Sequence, residues 1–112
     1  MKIYKVNTVT EYLNDLEGVP FDVCESLPKY FSSRAKASEY FCKLQERIYS
    51  KQRSMFGQDP VLLETRGDKT FKNATRYNNN KYEVAIRNCE REILEDKFYT
   101  RFTLVAECIE VE

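Results

Sequence analysis

The sequence has no histidine, no tryptophan, three glycines and three prolines. Without imidazole, Ser-His-Asp and Cys-His nucleophilic mechanisms are excluded, as is every general base that relies on histidine near neutral pH. Mixed Cys/His zinc sites are excluded with them. Gly18, Gly57 and Gly67 are far apart, so neither a GxGxxG nor a GxxxxGK(S/T) phosphate loop can be built. No apolar run approaches the ~20 residues that cross a bilayer. The opening Met1-Lys2-Ile3-Tyr4-Lys5 lacks the apolar stretch of a signal peptide, which points to a cytoplasmic, reducing setting. Net charge is also missing, since 18 Lys and Arg balance 18 Asp and Glu. That excludes global attraction to nucleic acid or an anionic membrane and leaves only local patches. Together these absences point to a protein that is not an enzyme and holds no cofactor or metal.

What is present suits one domain spanning residues 1–112, because 42% of the residues are hydrophobic and typical domains hold roughly 100–150 residues. Cys24, Cys42, Cys89 and Cys108 are spaced 18, 47 and 19 apart, with no CxxC knuckle. Their plain reading is as small buried hydrophobes.

Lys2 to Tyr12 reads as a strand, with Tyr4, Val6, Thr8, Thr10 and Tyr12 on one face and Ile3 and Val9 on the other. Asn14 to Gly18 supplies turn chemistry, and Phe21 to Cys24 is a short strand or an extended loop. Ser32 or Ser33 can cap a helix. Ala37, Tyr40, Phe41, Leu44, Ile48 and Met55 then fall within a stripe about 100° wide at helical spacing. The helix is expected from about Ser33 to Arg53, roughly 30 Å long, with Gly57 as its stop.

Val61 to Thr65 reads as a strand or an extended segment, and Thr70 to Tyr77 can pair with Lys81 to Cys89 across Asn78-Asn79-Asn80. Tyr82, Val84 and Ile86 alternate as a strand, although residues 82–94 also fit a helix face; the strand reading is preferred because a strong strand follows closely. That strand is Phe98 to Val111, preceded by a turn at Glu95-Asp96-Lys97. Phe98, Phe102, Leu104, Ala106 and Cys108 share one of its faces, and Val105, Ile109 and Val111 the other. Apolar residues on both faces mean a central strand or a homodimer surface. The expected fold is α+β: an antiparallel sheet of four to five strands with one long amphipathic helix packed on one face.

Charge is segregated. Residues 1–27 carry net −3, 28–57 net +5, 58–82 net +2 and 83–112 net −4. Lys36, Lys43 and Arg47, with Lys51 at the edge, form a basic stripe on the helix that can hold the phosphates of a nucleotide or nucleic acid. The alternative is a solvated flank of snorkelling side chains. Glu90, Glu92, Glu95 and Asp96 cluster at the final hairpin, where a basic partner surface can dock or where charge protects a strand edge. Tyr4, Phe41, Phe98 and Phe102 are expected in the core. Tyr30, Tyr49, Tyr77 and Tyr99 are candidate exposed contacts, Tyr77 and Tyr99 being placed with the acidic set.

The MKIYKV opening, Phe31-Ser32-Ser33, Lys36-Ala37-Ser38-Glu39-Tyr40-Phe41 and Leu104 to Val111 resemble small accessory proteins of bacteriophages and mobile elements. The resemblance implies an inhibitor of a host protein, such as a nucleic-acid-processing defence enzyme; an anti-CRISPR is its sharpest form. The readings from the residues stay open beside it: a protein-interaction module, a module that sequesters a phosphate-containing ligand, or a self-assembling structural protein.

Overall fold

The computed structural model describes residues 1–14, 18–67, 81–88, 91–93 and 96–110. Its spine is a long pair of antiparallel strands, β1 (Lys2–Leu13) and the last strand, β7 (Asp96–Glu110). They run in unbroken register from Lys2 opposite Glu110 to Leu13 opposite Tyr99. The alternation of β-branched and aromatic residues in both strands fits such a pairing. β7 is therefore central in the sheet, flanked by β1 and β5.

On the far side of β1 lie β2 (Asp22–Glu25) and β3 (Lys29–Phe31), both antiparallel to it and successive along its length. Their junction is fixed by a two-way exchange: Ser26 N–H donates to Thr8 O at 2.9 Å, and Thr8 N–H donates to Ser26 Oγ at 2.8 Å. On the far side of β7 come β5 (Lys81–Arg87) and then β4 (Val61–Gly67). β6 (Arg91–Ile93) makes a short hairpin with the start of β7. All of these pairings are antiparallel.

Helix α1 (Arg34–Phe56) lies across one face of the sheet, against β1, β3 and β7. Ser33 is its N-cap, with Oγ accepting from Lys36 N–H at 3.4 Å. Gly57 ends it in the left-handed region at φ 71°, its N–H donating to Arg53 O. Ala37 and Phe41 of the helix meet Val6, Val84, Ile86, Leu104 and Ala106 of the sheet to form the core. No helix among the described residues is long and apolar enough to cross a membrane.

The α+β fold, with one helix on one face of an antiparallel sheet, is thus as the pattern implied. Several details differ. The described residues form seven strands rather than four to five, because the three-residue β3 and β6 are too short to show a period. Residues 82–87 are strand, the reading the sequence preferred. Thr70 to Tyr77 lies outside the described residues, and both edges of β5 are occupied, by β4 and β7. Asp96 and Lys97 belong to β7 rather than to a turn, with Ile93 opposite Asp96. Cys108 is buried as expected, but Cys24 and Cys42 are exposed: Cys24 sits on the fully exposed β2, and Cys42 on the outward side of α1. Cys89 lies outside the described residues.

Candidate functional site

The sheet face under α1 changes character along β1. Tyr4 and Val6 reach the helix, whereas the next inward positions are Thr8 and Thr10. These short side chains do not fill the space beneath the second half of α1. The helix changes at the same level. Lys51 follows Leu44 by seven residues and Tyr40 by eleven, so it lies within about 20° of both, on the apolar stripe itself. Gln52 follows Phe41 by eleven residues and shares its face in the same way. A charge and an amide thus stand where a closed core calls for hydrophobes.

The outcome is an open groove of about 580 Å³ between the C-terminal half of α1 and the sheet. That lies within the 300–1,000 Å³ typical of small-molecule sites. Leu44, Ile48, Met55 and Phe56 line its helical wall, and Thr8, Thr10, Thr100 and Phe102 its floor. One end is aromatic. Phe21 lies 6.4 Å from the Tyr12 ring and meets the Phe98 ring edge-on at 6.5 Å. Tyr99 completes that end, with the Arg87 guanidinium 5.8 Å from its ring centre. Asn88 closes the end of β5: its N–H donates to Thr100 O at 2.9 Å and its Oδ1 accepts from Thr100 N–H at 2.8 Å.

Two cations of this groove have no counter-ion among the described residues. Arg47 and Lys51 line it, are exposed, and pair with no carboxylate among the described residues. Gln52 is 5% exposed, yet its Oε1 is buried without a hydrogen-bond partner. A buried acceptor left unmade costs about 1–3 kcal/mol. Several charges elsewhere are matched. On the uncovered sheet face Arg101 binds Glu11, which pushes the guanidinium pKa further up, and Asn7 Nδ2 donates to Glu25 Oε1 at 2.8 Å. Arg66 binds Glu64 and holds its carboxyl below the usual range, and Arg53 pairs with Asp59 beyond the helix end.

The basic stripe therefore divides. Arg47 and Lys51 enter the groove; Lys43 pairs with Glu39 at 3.2 Å, and Lys36 stands exposed on the first turn, some 22 Å of helix from Lys51. Of the acidic set, Glu90 and Glu95 lie outside the described residues, as does Tyr77, while Glu92 and Asp96 take places in the β6–β7 hairpin opposite Lys97 and Ile93. Tyr99 is half-buried and lines the groove. Tyr30 is exposed, and Tyr49 packs partly on the core. Tyr4 and Phe41 pack in or on the core, but Phe98 and Phe102 are only half-buried, because the groove stands over them. Gln52 escaped the sequence reading; its phase with Phe41 was the available signal. Among the described residues no group of three or more Cys, Asp or Glu is placed to hold a metal ion. No family model, no curated protein and no solved structure matches the chain.

Proposed function

We propose that this chain is a small non-catalytic binding module, and that the groove beneath the second half of α1 is where it binds. The ligand it suits has an apolar or planar body and an anionic end. One observation carries this reading: Arg47 and Lys51, which pair with no carboxylate among the described residues, both line the apolar groove under α1. No carboxylate or thiol lines that groove among the described residues, which favours holding a ligand over transforming it. The test is thermal unfolding with a small-molecule extract of bacterial cells. A ligand at 100 times its Kd adds about 2.7 kcal/mol and raises the melting temperature by several degrees. Arg47→Glu with Lys51→Glu should abolish that shift, whereas Lys36→Glu with Lys43→Glu should leave it.

A second reading is that the chain binds and blocks a host protein, as the resemblance to phage accessory proteins implies. It is favoured by Val61, Leu62 and Leu63, three large hydrophobics 41–53% exposed in succession on β4. Exposed strands of this kind recruit partners by strand addition. A stoichiometric protein captured by the wild type and lost on Leu62→Glu would favour this reading. If charge reversal at Glu92, Glu95 and Asp96 leaves capture and its salt dependence unchanged, the acidic hairpin is not the contact.

A further inference from the structure

β4 is the terminal strand of the sheet, and among the described residues nothing covers it. It pairs with β5 on one edge, no described strand lies on the other, and α1 lies against β1, β3 and β7 rather than over β4. All seven of its residues are exposed. Native proteins rarely leave such an edge unguarded. The opposite edge of the sheet is guarded: Ser26-Leu27-Pro28 interrupts it between β2 and β3, and β2 carries Asp22 and Glu25 with no cation. β4 has a bulge at Leu63, and beyond it runs from Glu64 to Gly67 with no proline and with charges of both signs, Glu64 and Arg66.

Independently of the groove, we infer that β4 is a self-pairing edge: two copies of the chain dimerise with their β4 strands side by side and antiparallel, about a two-fold axis through Thr65. Faces and charges fix the position of the axis. A two-fold axis perpendicular to the sheet makes the two strands antiparallel, and opposed residues must share a face. The bulge restricts what can be opposed. Leu62 pairs with the buried Ile86 on the helix side of the sheet, whereas Glu64 pairs with Ala85 on the uncovered side. An axis at Leu63 would set Leu62 opposite Glu64, on the wrong face. An axis at Glu64 or at Arg66 would set that charge against its own copy. An axis at Thr65 sets Glu64 of each copy opposite Arg66 of the other. Both lie on the uncovered face, since Arg66 pairs with Glu83 and Glu64 with Ala85. Thr65 meets itself across the axis, a cross-strand pair that sheets favour. Leu63 falls opposite Gly67, which has no side chain to crowd it.

Within one copy, Arg66 Nε donates to Glu64 Oε1 at 2.6 Å. That bond takes one of the five N–H groups of the guanidinium. An exposed pair of this kind contributes little alone, and more as part of a network. The dimer joins two such pairs into a ring of charges that alternate in sign.

Sedimentation velocity of the full chain over a concentration series is the test. The wild type should form a dimer as concentration rises and go no further. Glu64→Arg and Arg66→Glu should each raise the dimer Kd by about tenfold or more, because each sets like charges opposite one another at both ends of the pairing. An equimolar mixture of the two variants should dimerise as the wild type does, since position 64 of one then meets position 66 of the other with opposite sign. That recovery also shows that both variants are folded. A wild type that stays monomeric at every concentration, as a chain whose β4 serves a different protein would, overturns the inference. So does growth beyond a dimer, a dimer that either variant leaves intact, or a mixture that stays monomeric.

Discussion

Arg101 reaches across from β7 to Glu11 on β1 and holds its carboxylate with two hydrogen bonds, 3.0 Å from Nε and 2.8 Å from Nη2. The two residues are register partners and stand on the sheet face that α1 does not cover. This fork-to-fork pairing is the geometry in which arginine binds carboxylate most strongly. It places a matched pair on one face of the sheet, whereas Arg47 and Lys51, over the other face, pair with no carboxylate among the described residues.

A double-mutant cycle on Glu11→Ala and Arg101→Ala should give a coupling of about 1 kcal/mol, since both side chains are only partly exposed. Denaturant unfolding measures it. A coupling near zero would mean that the pair is ornamental to the β1–β7 junction.

Removing the orphaned acceptor should stabilise the ligand-free chain. Gln52→Met keeps the volume and discards a buried group that has nothing to bond. Urea unfolding should show a gain of roughly 1–3 kcal/mol. A loss of stability would mean that the Gln52 amide is satisfied in solution.

The two glycines with positive φ should respond unequally to alanine. At Gly57, φ 71°, nothing lies within 4 Å of a new Cβ, so Gly57→Ala should cost only the left-handed conformation, about 1 kcal/mol. At Gly67, φ 87°, a new Cβ runs into the Lys81 carbonyl of the neighbouring strand. Gly67→Ala should cost clearly more and loosen the β4–β5 pairing, as hydrogen exchange of the β5 amides will show.

The Glu64 carboxyl, hydrogen-bonded by Arg66, should titrate below the ordinary value of about 4.3. A depressed carboxyl contributes stability above its unfolded pKa, and that contribution is lost as pH falls through the folded value. NMR titration of the Glu64 side chain in the wild type and in Arg66→Gln should show the value return toward normal in the variant.

The elements with a strong period were legible in the sequence. β1, α1 and β7 carry alternation or a stripe, and Ser33 and Gly57 mark the helix ends with known capping chemistry. β3 was not legible, because three residues carry no period and its pairing with β1 is tertiary. The pattern also placed Phe98 and Phe102 in a closed core. Apolar periodicity reports which way a side chain points, not whether a neighbour is there to cover it. Here Thr8 and Thr10 are too short, and Lys51 and Gln52 too polar, for helix and sheet to close over those rings. The groove is thus a consequence of four residues on two elements far apart in sequence. No local window contains them.

The measurement that bears most directly on the central claim is a two-dimensional NMR titration of the ¹⁵N-labelled chain with AMP and with decanoate, a planar and an apolar anion of the kind the groove suits. Binding in the groove predicts shifts confined to the amides of residues 47–56 and 98–102, together with the Gln52 side-chain amide. Shifts confined to the uncovered face, around Asn7, Glu11 and Arg101, or no saturable shifts at all, would contradict it.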